Sequence, residues 1–577
     1  MLASALAFSA PSCAEKTAPA EDAAAPLVEL PPVPEPAGLA ATFALSKPGE
    51  TWGKLRDLGG GPARLLPQSF GLLVSTLLGL PPALAEAIDP DVMMTGAVVA
   101  DDQGKTQAAV AIHVRSGREL VAKLSAGADA PYGKKDDPAS GLMVLEPKPG
   151  KAPTGVALGI SGNYLVAARY AADLVQVGPY AARTLSKQPA PKSPLLVEVK
   201  KRALEGPLAK ALREGWAKKK AELQKLDLDN RQKHGGKTPD FGDPAAALES
   251  LGGVVESIAA VLASSRGGRL GVEPFADHLQ ADLELDAEPS GPAHDMIEVQ
   301  VVGDAAPIAA LPSSTPIAVL SRTGEGARKN SAKSMEAGFA NLFADRLSTA
   351  DRDKLKGVLD KLAEGRGDFE TYGVLLEGGK GGVVYRAQVK DPKAFDAGAK
   401  DLFKLLSIKA FAEPLRQFAG EFSVKQSTAA VPGVPGTTQR TVLAVQPSAM
   451  RTATDKTGKL SKEGQNLEVL WVHKDGHALG AASPDAVPVL AALVASEADP
   501  KTTHQGDAKV AAALARVRDA SFVVMVQPQR LSVGADSLNP SAPVVVSFGK
   551  RESTLALRVD ADPGALETLL KSFALSR

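Results

Sequence analysis

His473 and His477 stand four residues apart in the string HKDGH, a spacing that invites a metal reading. Two histidines at i and i+4 can reach one cation only when a helix brings them to the same face. Here Asp475-Gly476 reads as a two-residue hairpin turn. Such a turn pairs Lys474 with His477 and points His473 to the opposite face, because strand side chains alternate. No metal is expected at this pair. His113, His234, His278, His294 and His504 are scattered, without ligand-like spacing. The chain has one cysteine, Cys13, so a zinc site of the cysteine type is excluded. Gly378-Gly379-Lys380-Gly381-Gly382 joins two expected strands rather than opening a helix, and so lacks the helix-terminal dipole of a phosphate site. Asp136-Asp137 is a paired carboxylate in an expected loop, with no nameable partner. No cofactor is expected.

Nucleophile motifs fare no better. Ser547-Phe548-Gly549-Lys550 matches the S-x-x-K of penicillin-binding proteins and serine β-lactamases, and Lys456-Thr457-Gly458 matches their K-T-G. The order is reversed relative to those enzymes, and no Ser-Asp-Asn occurs. Their S-x-x-K opens a helix, whereas this one falls on a strand entering a turn. Leu158-Gly159-Ile160-Ser161-Gly162 has one residue between Gly and Ser and is not a nucleophile elbow. The expectation is a protein without catalytic residues.

Cys13 carries a different chemistry. It follows the apolar run Leu2 to Ala10 (LASALAFSA) and the small residues Ala10, Pro11 and Ser12. This start resembles that of a bacterial lipoprotein, whose cysteine thiol takes a diacylglycerol. No Lys or Arg precedes Cys13, and Ala10 stands where lipoproteins prefer Leu. The resemblance implies lipidation at Cys13, a membrane anchor without a spanning helix, and a place in the cell envelope on the periplasmic or outer-membrane side. The longest later apolar run, Phe70 to Leu80, ends at Pro81-Pro82 and is too short to span a bilayer, which takes about 20 residues. A single cysteine also leaves no intrachain disulfide.

Composition narrows the partners. With 66 basic and 66 acidic residues the formal net charge is zero, which argues against a nucleic-acid partner. Aromatics make up only 4%, so aromatic stacking platforms for single strands or sugars are unexpected. Hydrophobic residues reach 44%, enough to fill real cores.

The elements follow a recurring order: strand, Gly-containing turn, strand, capping residue, helix. One copy runs from Thr95 through Asp101-Asp102-Gln103-Gly104-Lys105 to Ala108–Val114, with Ser116 capping Gly117 to Leu124. A second runs from Tyr372 to Val389, with Asp391-Pro392 opening a helix to Leu406. A third spans Val544 to Val559, with Asp562-Pro563 opening a helix to Phe573. A looser fourth runs from Leu270 through His278 to Leu285. Asp followed by Pro is an N-cap with Pro at the first helical position. Two further stretches match, Val156 to Tyr180 and Leu467 to Ala495, and a strand follows each, at Leu195–Val199 and Ser521–Val526.

The expected fold class is α+β, with two homologous modules, each an antiparallel sheet carrying helices. The expected division is a leader at 1–13, a Pro/Ala-rich tether at 14–37, a first module at 38–300 and a second at 301–577. The first module carries a charged helical insert at about 203–243, where Leu204, Leu208, Leu212 and Trp216 form an apolar stripe expected to pack on its own module. This layout resembles a class of uncharacterised bacterial secreted or lipid-anchored envelope proteins built from repeated β-β-α modules. The resulting expectation is a non-catalytic envelope lipoprotein that binds or scaffolds, with an envelope protein as a possible partner and no small-molecule ligand indicated. Carriage of an apolar ligand or lipid, or an unrecognised hydrolase, are the alternatives.

Overall fold

The computed structural model describes residues 30–568 apart from 64, 102–103, 151–154, 234–243, 344–345, 376–380, 446–464 and 533–541. Cys13, His234, Lys456-Thr457-Gly458 and most of the 378–382 glycine run lie outside the described residues.

The fold is α+β, and among the described residues twenty strands are hydrogen-bonded into one antiparallel sheet. The first ten are β1 (Leu39–Leu45), β2 (Met94–Ala100), β3 (Thr106–His113), β4 (Tyr132–Asp137), β5 (Leu142–Pro147), β6 (Ala157–Ser161), β7 (Tyr164–Ala168), β8 (Leu195–Lys200), β9 (Ser265–Pro274) and β10 (Leu279–Ala287). The second ten are β11 (Ile317–Arg322), β12 (Arg366–Leu375), β13 (Gly382–Val389), β14 (Phe422–Ala429), β15 (Thr438–Val445), β16 (Gln465–Lys474), β17 (His477–Ser483), β18 (Ala520–Val526), β19 (Val544–Arg551) and β20 (Thr554–Ala561).

Following the pairings across the first set gives the order β4-β5-β6-β7-β3-β2-β1-β8-β9-β10. The second set runs β14-β15-β16-β17-β13-β12-β11-β18-β19-β20. Each strand of one set occupies the place of its counterpart ten numbers away in the other. The sets join last strand to last strand, with Leu279↔Ala561 through Asp286↔Thr554 in antiparallel register. The sheet therefore continues across the boundary expected at 300/301. Long-range antiparallel joining of this kind is invisible to local periodicity.

Local signals act as the sequence implies. Ser116 Oγ accepts from Glu119 N at 3.2 Å and starts the Gly117–Ser125 helix. Asp391 Oδ1 accepts from Lys393 N and Ala394 N and starts the Pro392–Lys404 helix. Each cap satisfies N–H groups that the first helical turn leaves unpaired. Asp475 and Gly476 both have positive φ, as a primed two-residue hairpin requires.

The helices cover the two faces of the sheet unequally. On one face, Ala171–Arg183 packs over β2, β3 and β7, burying Ala97, Ala111, Val166, Leu174 and Val177. On the same face of the second set, Ala486–Ser496 and Ala508–Ala515 bury Leu320, Val384, Leu470, Leu479, Val523 and Met525. On the opposite face, Gly117–Ser125 seals one flank and Pro392–Lys404 the other, where Phe395 meets Trp471 and Ala478. Between these flanks lie the central strands.

One expectation changes. Asp136-Asp137 ends strand β4 rather than lying in a loop, and Asp137 Oδ2 accepts from Ser140 Oγ at 2.5 Å as it closes the β4–β5 turn. The described part of the tether is docked: Val33 exchanges two hydrogen bonds with Thr184, at 2.9 and 2.6 Å, and Arg183 Nε donates to Pro31 O at 2.7 Å. In the insert, Leu204 is buried, Leu208 is exposed, and Leu212 and Trp216 are half-buried. The Ala209–Lys233 helix, which carries Leu212 and Trp216, packs against the Pro244–Ala263 helix of the same set. No described helix is long and apolar enough to cross a membrane.

Candidate functional site

The histidines are the natural starting point. His473 pairs with Ala478 and Lys474 with His477, so the two imidazoles point to opposite faces. His473 Nε2 lies 2.8 Å from Asp396 Oδ1, which also accepts from Trp471 Nε1 at 2.8 Å. This cluster ties the Pro392–Lys404 helix to β16. His477, on the other face, lies 5.7 Å from the Phe369 ring. Burial, with the nearby Arg386 cation second, pushes its pKa down. His504 is fully buried, with Nε2 2.8 Å from Thr315 Oγ1, and burial pushes its pKa down to about 4. His278 stacks on Phe275 at 4.4 Å. Among the described residues no group of three His, Cys, Asp or Glu could hold a metal ion.

Ser547 and Lys550 lie on opposite faces of β19. Ser547 is buried beside Arg558 of β20, whereas Lys550 Nζ donates to Ile297 O at 2.9 Å. They cannot act on one substrate atom. Ser161 ends β6 and pairs with Tyr164 in a tight hairpin.

The unusual surface is one that no motif marks. Following cross-strand partners from β11 to β1 gives a single row on one face: Ser321, Phe522, Phe548, Leu557, Leu283, Leu270, Val197, Phe43. The next row on that face is Val319, Val524, Val546, Val559, Ala281, Val272, Leu195, Leu45, from the same pairings. No residue of either row is fully buried, and Phe522 and Leu283 are 41% and 38% exposed. Eight strands at about 4.8 Å spacing make this apolar ladder about 34 Å long. Its β1 end and one side are closed. At β1, the Phe43 ring lies over Gly96, where any Cβ would collide with it. To one side, Leu555 and Ala287 go under the Pro292–Glu298 helix and are buried.

At the β11 end the ladder meets polar groups. Ser321 pairs with Glu370, and Val319 with Tyr372. Arg366 Nη1 lies 3.3 Å from Glu370 Oε2, and the Tyr385 hydroxyl lies 3.5 Å from the same oxygen. The Tyr372 and Tyr385 rings are 5.0 Å apart. Burial pushes both phenol pKa values up, with the Glu370 charge adding to it, so both hydroxyls stay protonated. Arg366 Nε is buried without a partner. The Glu325–Phe343 and Thr349–Gly365 helices roof this end and leave a cavity of about 210 Å³, open to solvent. Ser321 and Glu370 line it together with Met335, Leu362, Arg366 and Leu402. Arg328 donates to Gly367 O at 2.8 Å and to Asp368 Oδ1 at 3.0 Å, locking the start of the roof helix to the strand.

The reverse face of the same central strands is ionic. Arg558 Nε donates to Asp282 at 2.7 Å, Arg551 to Glu284 at 3.1 Å and Arg269 to Asp286 at 3.2 Å. Asp560, 2% exposed, accepts from Arg516 Nε at 2.9 Å, with His278 Nε2 at 3.5 Å. The Arg558–Asp282 and Arg551–Glu284 pairs staple the two strand sets along β10–β20.

The chain matches no protein-family model, no curated protein and no solved structure.

Proposed function

We propose that this protein is a non-catalytic binding protein of the bacterial cell envelope, anchored through a lipid on Cys13, whose working surface is the apolar ladder. The observation that carries the reading is the ladder itself: two adjacent rows of side chains, apolar from Phe522 to Phe43 and from Val319 to Leu45, that remain half-open across eight strands. Exposed contiguous apolar surface on a folded protein marks a place where something binds. The separation of Ser547 from Lys550 and of His473 from His477 supports a non-catalytic role. The leader-like start supports the envelope placement. We further propose that the two strand sets are duplicated modules, which their shared order supports.

Carriage of an apolar ligand is the more specific form of this reading. It is favoured by a floor made largely of Val, Leu and Phe, without hydrogen-bonding side chains between Phe522 and Phe43. The test is a titration of the full-length protein with an environment-sensitive apolar dye. Leu283→Asp and Phe522→Asp, at exposed ladder positions, are expected to cut dye binding at least tenfold with melting temperature little changed. Unchanged dye binding in both variants contradicts the reading. Placement is checked separately by a clickable palmitate analogue in the native host, where label on the wild type and none on Cys13→Ala is expected.

A further inference from the structure

We propose that the ladder and the cavity at its β11 end form one site for an amphiphile: a single long aliphatic chain lying along the ladder, with a polar head of no net charge in the cavity. This rests on the reading of the ladder as a binding surface and goes further by naming the ligand class.

Three observations carry it. The first is continuity. Ser321 and Glu370 are cross-strand partners at the end of the row, and both line the cavity, so tail floor and head chamber share residues. The second is the chemistry of the floor. From Phe522 to Phe43 the row offers no donor or acceptor side chain, and its backbone groups are already paired within the sheet. A polypeptide laid there would leave its own backbone N–H and C=O groups without partners, whereas a hydrocarbon chain has none to satisfy. A row about 34 Å long and one or two side chains wide suits a single extended chain.

The third is charge. The cavity holds two cations and two carboxylates, already matched: Arg328 with Asp368 at 3.0 Å and Arg366 with Glu370 at 3.3 Å. An anionic head would enter a neutral chamber and face Glu370 and Asp368 without a spare cation to offset it. An uncharged head with hydroxyl groups fits better. It can donate to Glu370, accept from the Arg366 guanidinium and exchange a hydrogen bond with Ser321, all of which line the cavity. Met335 and Leu402, both exposed and both lining the cavity, provide an apolar wall where chain passes to head.

The experiment is calorimetric titration of the full-length protein with a monoacylglycerol and, separately, with the fatty acid of the same chain, each delivered from cyclodextrin at neutral pH. The monoacylglycerol is expected to bind at least tenfold more tightly than the fatty acid. Leu283→Asp is expected to weaken it at least tenfold by putting a charge under the chain. Met335→Arg is expected to weaken it at least fivefold by crowding the head, while leaving binding of the apolar dye unchanged. Circular-dichroism melts confirm that both variants fold. Equal or tighter binding of the fatty acid overturns the neutral-head assignment. Monoacylglycerol binding that survives Leu283→Asp overturns the ladder as its seat. Dye binding without monoacylglycerol binding overturns the amphiphile and leaves the binding surface standing, whereas loss of both removes the surface as well. Self-association of the wild type that disappears in Leu283→Asp assigns the ladder to a second copy of the chain and overturns the proposal.

Discussion

Val319 and Leu320 are neighbours on β11, yet Leu320 is fully sealed under the Ala486–Ser496 side of the sheet while Val319 is half-open on the ladder. The same split divides Phe522 from Val523 on β18 and Val546 from Val545 on β19. Farther along, the sealed face gives way to ion pairs at β10–β20, while the ladder face stays apolar. One sheet thus uses one face for cohesion and keeps the other available. Apolar side chains alone do not distinguish these roles. What differs is how completely the helices cover them: Phe548 packs beside the Pro292–Glu298 helix and Leu45 beside Trp52, yet neither is sealed.

That contrast predicts opposite mutational signatures. The largest loss should come from the cohesive face. Arg516→Ala leaves the buried Asp560 carboxylate without its cation, and breaking a buried pair in this way costs about 3–5 kcal/mol. Urea denaturation followed by circular dichroism should show the drop. Leu320→Ala should cost about 3 kcal/mol through lost burial and a cavity, whereas Val319→Ala should cost less than about 1 kcal/mol because its site is already half-open. Equal costs for the two neighbours would erase the distinction between faces.

Acid should also act on the covered side. The folded pKa of His504, about 4, lies below its ordinary 6.5, chiefly because of burial. The unfolded chain therefore takes up the proton first. The stability tied to neutral His504 is fully present above pH 6.5 and fades as pH falls to about 4, by about 3 kcal/mol in all. His504→Leu should flatten that part of the stability–pH curve, and dye binding at the ladder should not follow it. The smallest effect belongs to the exposed seam pairs. Asp282→Asn should cost about 1 kcal/mol or less, and less still at high salt, because Asp282 and its partners Arg558 and Arg551 are partly solvated.

Much of the local structure was legible. The Asp475-Gly476 hairpin, the Ser116 and Asp391 caps and the strands on either side of them follow from turn chemistry, capping and alternation. The α+β class follows from their sum. The joining of β10 to β20 was not legible, because partners some 270 residues apart leave no trace in local periodicity. The ladder was hidden for a related reason. In β18, Ala520 to Val526 reads ASFVVMV, apolar on both faces, so the pattern cannot say which face is covered. In β10, Leu279 to Ala287 alternates cleanly, and alternation ordinarily means that the apolar side is packed. Only the placement of the helices reveals that Leu283 is left open while Leu285 and Ala287 are packed. The polar end of the site, Arg366, Glu370, Tyr372 and Tyr385, carried no motif at all. A strand with Arg and Glu four apart on one face, followed by Tyr, was its only signal.

The central contrast is that the ladder is open while the reverse side of β11, β18 and β19 is sealed. Carbene footprinting of the full-length protein tests it most directly, with peptide mapping of diazirine labels on β10, β11, β18 and β20. The account predicts strong labelling at Leu283, Phe522 and Leu557 and little at Leu320, Val523 and Met525. Protection of Leu283 and Phe522 to the level of Leu320 would contradict it.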